Sequence, residues 1–131
     1  MKKNKKIEEI IRIDQAGELG AIQIYKGQLA VLKNKKISKV LLEMLEQENR
    51  HYSTFNKLII EKNVRPTLLN PIWKIGAYSL GVITAIMGPK CTMACTEAVE
   101  EVIIKHYEDQ TKYLKKINNN LYKTTSKFAG S

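Results

Sequence analysis

The sequence predicts an all-α protein of a single domain, and three observations carry that reading. Apolar residues recur three and four positions apart along most of the chain, the period of a helix with one buried face. Alternating β-branched runs closed by turn pairs, the mark of strands, are missing. Only three prolines and seven glycines occur in 131 residues, which leaves little room for loop-rich or Pro-rich classes. The length suits one modest core. An apolar fraction of 44% beside 27% charged residues is that of a globular chain. No internal repeat of solenoid period is visible.

The first helix is predicted from about Lys6 to Lys33, with Ile7, Ile11, Ala21, Tyr25, Leu29 and Leu32 on one stripe. Asp14 and Glu18 fall on that same stripe, and small residues (Ala16, Gly17, Gly20, Ala21) surround Glu18. The second helix runs from about Ile37 to Lys62 on the stripe Ile37, Leu41, Met44, Phe55, Leu58 and Ile59, with Glu48 and His51 at positions a core residue would take. Arg65-Pro66 and Asn70-Pro71 then break the pattern. Residues 72–87 follow, uncharged but for Lys74 and too short to span a bilayer, which needs roughly 20 apolar residues. Trp73 and Tyr78 near one end suit a membrane-interface level, and a buried crossover helix fits the composition equally well. The next helix is expected from about Cys91 to Lys116, one face holding Met93, Glu97, Glu100, Ile104, Tyr107 and Leu114, the opposite one Val99, Val102, Ile103 and His106. The organisation is thus a helical domain over 1–116 and a basic tail over 117–131, which can form a short last helix but reads rather as frayed or disordered.

The net charge of +9 favours an anionic partner. Arginine is scarce and few aromatics stand among the lysines, so a membrane surface is favoured and nucleic acid is not expected. MKKNKK has the basic start of a secretory signal, but IEEIIRID puts charges where an apolar stretch is needed, so no such signal and no transit peptide is expected. Cys91 and Cys95 stand at helical spacing, not in a CxxC pattern, and are expected to be buried, reduced thiols.

The chemistry lies in carboxylates on core faces. An unpaired buried carboxylate costs several kcal/mol, yet Glu18, Glu48 and Glu100 sit on the inner faces of three predicted helices. Interior cations to neutralise them are too few, since Arg12 and Arg50 are the only arginines in these helices. A metal ion answers the problem. Glu48-Asn49-Arg50-His51 is a Glu-x-x-His, which sets oxygen and nitrogen donors one turn apart on one face, and di-iron carboxylate bundles use this motif beside single Glu residues from other helices. One Glu-x-x-His alone reads more readily as a structural ion pair; Glu18 on a second core stripe turns the balance to metal.

At this point a resemblance becomes specific. IIRIDQAGELGA, LEQENRHYSTFN, VRPTLLNPIWKIGAYSLG and MACTEAVEEVIIKHYEDQ, in order from about Ile7 to Gln110, resemble the demethoxyubiquinone hydroxylase family. The resemblance implies a ferritin-like four-helix bundle with two irons, held here by Glu18, Glu48, His51 and Glu100, with Glu48 bridging. It puts Tyr25, His106 and Tyr107 beside the site or the substrate, although ordinary packing explains His106 and Tyr107 as well. The implied reaction uses O2 to hydroxylate the ring of a polyprenylated demethoxyubiquinol, the last ring hydroxylation of ubiquinone biosynthesis. The implied setting is peripheral, at the cytoplasmic face of a bacterial inner membrane.

One departure stands out. The family continues into a helix with a second Glu-x-x-His, whereas no acid or histidine follows Asp109 here. The last bundle helix is therefore expected to be missing or degenerate, in a truncated chain that holds two irons, one or none. An impaired or inactive membrane-associated remnant is the alternative reading. Uncovered apolar stripes would favour a homo-oligomer, or an accessory protein of the ubiquinone pathway as partner.

Overall fold

The computed structural model describes residues 2–32, 36–65, 70–114 and 119–129. Over these the chain forms five helices and no strand: α1 (Lys2–Leu32), α2 (Ile37–Glu61), α3 (Asn70–Ile86), α4 (Pro89–Leu114) and α5 (Asn119–Ala129). The architecture is all-α and consistent with a ferritin-like helical bundle. α1 is its axis, packed along α2 and α3, while α4 packs chiefly with α5.

The apolar stripes bury two clusters at different heights. One gathers Ile7, Ile10 and Ile11 of α1 with Phe55, Ile59, Tyr107 and Leu114. The other gathers Ala21, Ile24, Tyr25 and Leu32 with Leu41, Ala77 and Ala85. On α1 the gap between them falls at Asp14–Glu18, and on α2 at Glu48–His51. Asp14, Gln15 and Glu18 of the first stretch and Glu48 and His51 of the second are nonetheless buried. The site thus lies between two dry cores, which exclude water from either end.

α3 crosses α1 with backbone against backbone. A Cβ on Gly27 would stand 2.3 Å from the Tyr78 carbonyl oxygen, and one on Gly81 would stand 2.1 Å from that of Ile24. Only glycine permits this approach. One face of α3 (Ala77, Gly81, Thr84, Ala85) is buried. Its other face leaves Ile72, Ile75, Ile83 and Ile86 more than half exposed, so α3 is not a buried crossover. No helix among the described residues is long and apolar enough to cross a membrane.

α2 ends where expected, while several later features differ. α2 stops before Arg65 because Asn63 takes a left-handed φ of 53°. Val64 N–H then reaches back to the Ile59 carbonyl at 3.0 Å and Asn63 N–H to that of Ile60 at 3.4 Å, a Schellman ending. Pro66, Lys33 and Lys116 lie outside the described residues. Pro71 does not break a helix but stands in the first turn of α3, where its missing N–H costs nothing. The 117–131 segment, expected as a disordered tail, carries α5. Its strongly one-sided pattern lets Tyr122, Phe128 and Ala129 pack on the first cluster. Cys91 and Cys95 are free but only partly buried, because the buried stripe of that stretch of α4 is threonine: Thr92 and Thr96. Glu97 is exposed.

Candidate metal centre

Helix geometry delivers the donors. Glu18 leaves the middle of α1, where Gly17 and Gly20 keep the flanks low. Glu48 and His51 leave one face of α2, an i, i+3 pair. All three are buried, at 1%, 1% and 6% exposure. His51 Nδ1 stands 3.6 Å from Glu18 Oε1 and 3.8 Å from Glu48 Oε2. One donor atom from each residue lies within 4.8 Å of the others, a spacing that a single cation can span.

The charge at this point is not balanced by lysine or arginine. Among the described residues the cations of that kind paired with acids are Lys6, with Glu9, and Arg50, with Glu46, and both pairs are exposed. Glu18 Oε2 and Glu48 Oε2 are buried with no hydrogen-bond partner among the described residues. Two desolvated carboxylates with orphaned oxygens, converging on an imidazole, are the donor set of a divalent cation. The residues present fit a bound metal.

Tyrosines orient the carboxylates. The Tyr107 hydroxyl donates a short hydrogen bond to Glu18 Oε1. The Tyr25 hydroxyl donates to Glu100 Oε1 at 2.7 Å. Burial first, then the neighbouring carboxylate charges, raises both phenol pKa values, so each remains a donor. Glu100 is half-buried and stands outside the close group of three. The structure therefore brings Glu18, Glu48 and His51 together, ties Tyr107 to them, and keeps Glu100 beside Tyr25. His106 is exposed. It lines, with Ile13, Val102 and Ile103, a cavity of about 130 Å³ that also reaches Asp14, Glu18 and Tyr107. A larger apolar groove of about 320 Å³ shares Gly17, Val102 and Ile103 with it and extends to Trp73 and Leu80.

Two participants escape the sequence reading. Asp14 is 4% exposed. Burial chiefly, and the Glu18 charge as well, hold its carboxyl pKa well above the usual range, against the opposing pull of a hydrogen bond with the Gln110 side chain. Its place on the Glu18 stripe was the available signal. Phe128 stacks on the His51 ring, with centroids 3.9 Å apart and planes at 17°. No motif announces it.

Fold and site together define a class: an α-helical bundle with a buried carboxylate–histidine group able to hold a metal. Comparison with known sequences narrows this. The chain belongs to the family of the ubiquinone biosynthesis protein COQ7, whose model matches residues 5–129. It is 53% identical over 112 residues to a mitochondrial NADPH-dependent 3-demethoxyubiquinone 3-hydroxylase of Dictyostelium discoideum, covering 86% of this chain and 52% of that protein. It is 50% identical over 105 residues to a 3-demethoxyubiquinol 3-hydroxylase of Rhodospirillum rubrum, covering 79% and 50%. A human protein of the same name as the Dictyostelium one is 45% identical over 108 residues, covering 82% and 50%. The chain spans about half the length of these curated relatives.

Proposed function

We propose that the protein is a demethoxyubiquinol hydroxylase, acting with O2 on the ring of a polyprenylated quinol at a membrane surface. The observation that carries this reading is the convergence of Glu18, Glu48 and His51, three buried donors within 4.8 Å, in a chain of this family. Iron is the metal we assign to them. Bound there, it would supply the O2 chemistry that puts one oxygen on the ring. Glu100 would serve a second iron together with Glu48, and it is the least prepared of the four, being half-buried and engaged by Tyr25.

The chain's own residues do the rest. Tyr107 holds the Glu18 carboxylate in one orientation by donating its proton to Oε1. Ile13, Val102 and Ile103 make an apolar wall beside Glu18, where a quinol ring can lie against the donors while His106 stands at the same cavity. The apolar groove toward Trp73 and Leu80 offers a track for a prenyl tail. The exposed isoleucines of α3 and the +9 charge suit peripheral docking on anionic lipid, here assigned to the cytoplasmic face of a bacterial inner membrane.

The test is metal content joined to turnover. Glu48→Ala and His51→Ala should each lose most of the iron taken up anaerobically, whereas Glu101→Ala, on an exposed position, should keep it. The iron-loaded protein should hydroxylate a short-tailed demethoxyquinol in the presence of O2. Unchanged iron in both Glu48→Ala and His51→Ala would return these residues to a structural role.

A further inference from the structure

We propose that Phe128, carried by α5, is a positioning residue for the metal-ligating histidine: its ring fixes the plane of the His51 imidazole, the plane in which Nδ1 faces Glu18 and Glu48. The inference rests on the metal centre proposed above and adds a role for a helix that brings no ligand of its own. α5 contains no acid, histidine or cysteine.

A place on a helix does not by itself aim an imidazole. The last side-chain torsion of histidine is broad, so the ring plane is free to tilt away from the carboxylates. What aims it must touch the ring. Phe128 lies nearly parallel to it at 3.9 Å between centroids. Turning the imidazole about its Cβ–Cγ bond would drive its edge into the phenyl ring. Phe128 is in turn held by two further rings: Phe55, edge-on at 5.5 Å and 74°, and Tyr107, at 5.8 Å and 68°. Such aromatic pairs contribute about 0.5–1.5 kcal/mol each beyond their buried area.

The support continues into α4. Thr125 lies one turn before Phe128 on the same face of α5. It is fully buried, and its hydroxyl meets that of Thr111 on α4 at 3.1 Å. Tyr107, which flanks the Phe128 ring, is the residue whose hydroxyl holds Glu18. One aromatic cluster therefore touches the orientation of two of the three donors: Glu18 through Tyr107 and His51 through Phe128. Groups that orient a ligand commonly change metal affinity 10–100-fold when removed.

Two variants separate orientation from packing. Phe128→Leu fills the space without a flat face, and Phe128→Tyr keeps the face. Co(II) titration of the full chain, followed by visible absorption, should show Phe128→Leu binding about tenfold more weakly, with a shifted band; Phe128→Tyr should match the wild type. A second readout needs no metal. The chain has two histidines, and the His51 ring protons, shifted upfield by the stacked phenyl, should move downfield in Phe128→Leu and stay in Phe128→Tyr. Wild-type protein that binds Co(II) no better than Phe128→Leu, or ring-proton shifts equal in the two, overturns the inference alone. Wild-type protein that binds no Co(II) overturns the metal centre and the inference together.

Discussion

At the scale of single residues, the molecule carries polar groups in its interior that a bundle does not need for folding. Asp14 is the clearest. Burial raises its carboxyl pKa well above the usual value, so the native chain holds a proton there that the unfolded chain gives up. The native state then binds more protons between the two pKa values, and stability falls as pH rises through that window. Asp14→Asn should therefore stabilise the metal-free protein at neutral pH, with the gain fading near the ordinary aspartate value of about 3.9. Urea midpoints measured from pH 3 to pH 8 check this; a pH-independent difference would refute it. The sequence made Glu18, Glu48 and His51 legible because each interrupts an apolar stripe. It left the Tyr107–Glu18 bond illegible, because a tyrosine on a stripe looks the same whether its hydroxyl is employed or idle.

At the scale of elements, periodicity located α1 to α4 to within a few residues, since each has an apolar stripe long enough to read. α5 ranked behind a frayed tail because eleven residues rich in Asn, Lys and Thr give a weak propensity signal. Its order comes from tertiary packing on Phe55 and Tyr107, which no local window contains. Nor does the pattern announce the α1–α3 crossing: Gly27 and Gly81 look like weak points in helices until the two backbones meet there. Two glycines of α3 should consequently answer in opposite directions. Gly76 has open space where a Cβ would go, so Gly76→Ala should raise stability by about 0.5–1 kcal/mol through helix propensity. Gly81→Ala puts a methyl 2.1 Å from the Ile24 carbonyl oxygen, and it should lower stability by about 1–3 kcal/mol as the helices part. Denaturant unfolding of the two variants, side by side, is the measurement.

At the scale of the whole molecule, one side is unlike the rest. Ile72, Ile75, Ile83 and Ile86 are 55–71% exposed along α3, with Met87 just past its end at 69% and Val102 of α4 at 66%. An apolar face of this extent on a basic protein marks an interaction surface. Vesicles containing anionic lipid should sediment the protein at low salt, and raising the salt should release part of it, because each lysine near the surface contributes roughly 1 kcal/mol of attraction. Ile75→Asp combined with Ile86→Asp should abolish the remainder. Equal recovery in the supernatant with and without vesicles would count against the docking face.

The glycine crossing makes α1 and α3 a gauge. Backbones pressed together at Gly27 and Gly81 can neither slide nor roll without collision, and the Trp73 indole N–H, bonded to the Ala16 carbonyl at 2.8 Å, pins the same pair two residues from Glu18. Along α1, Gly27 and Glu18 are about 13 Å apart at helical rise. Whatever surface takes up the outer side of α3 therefore meets the carboxylates at a preset height.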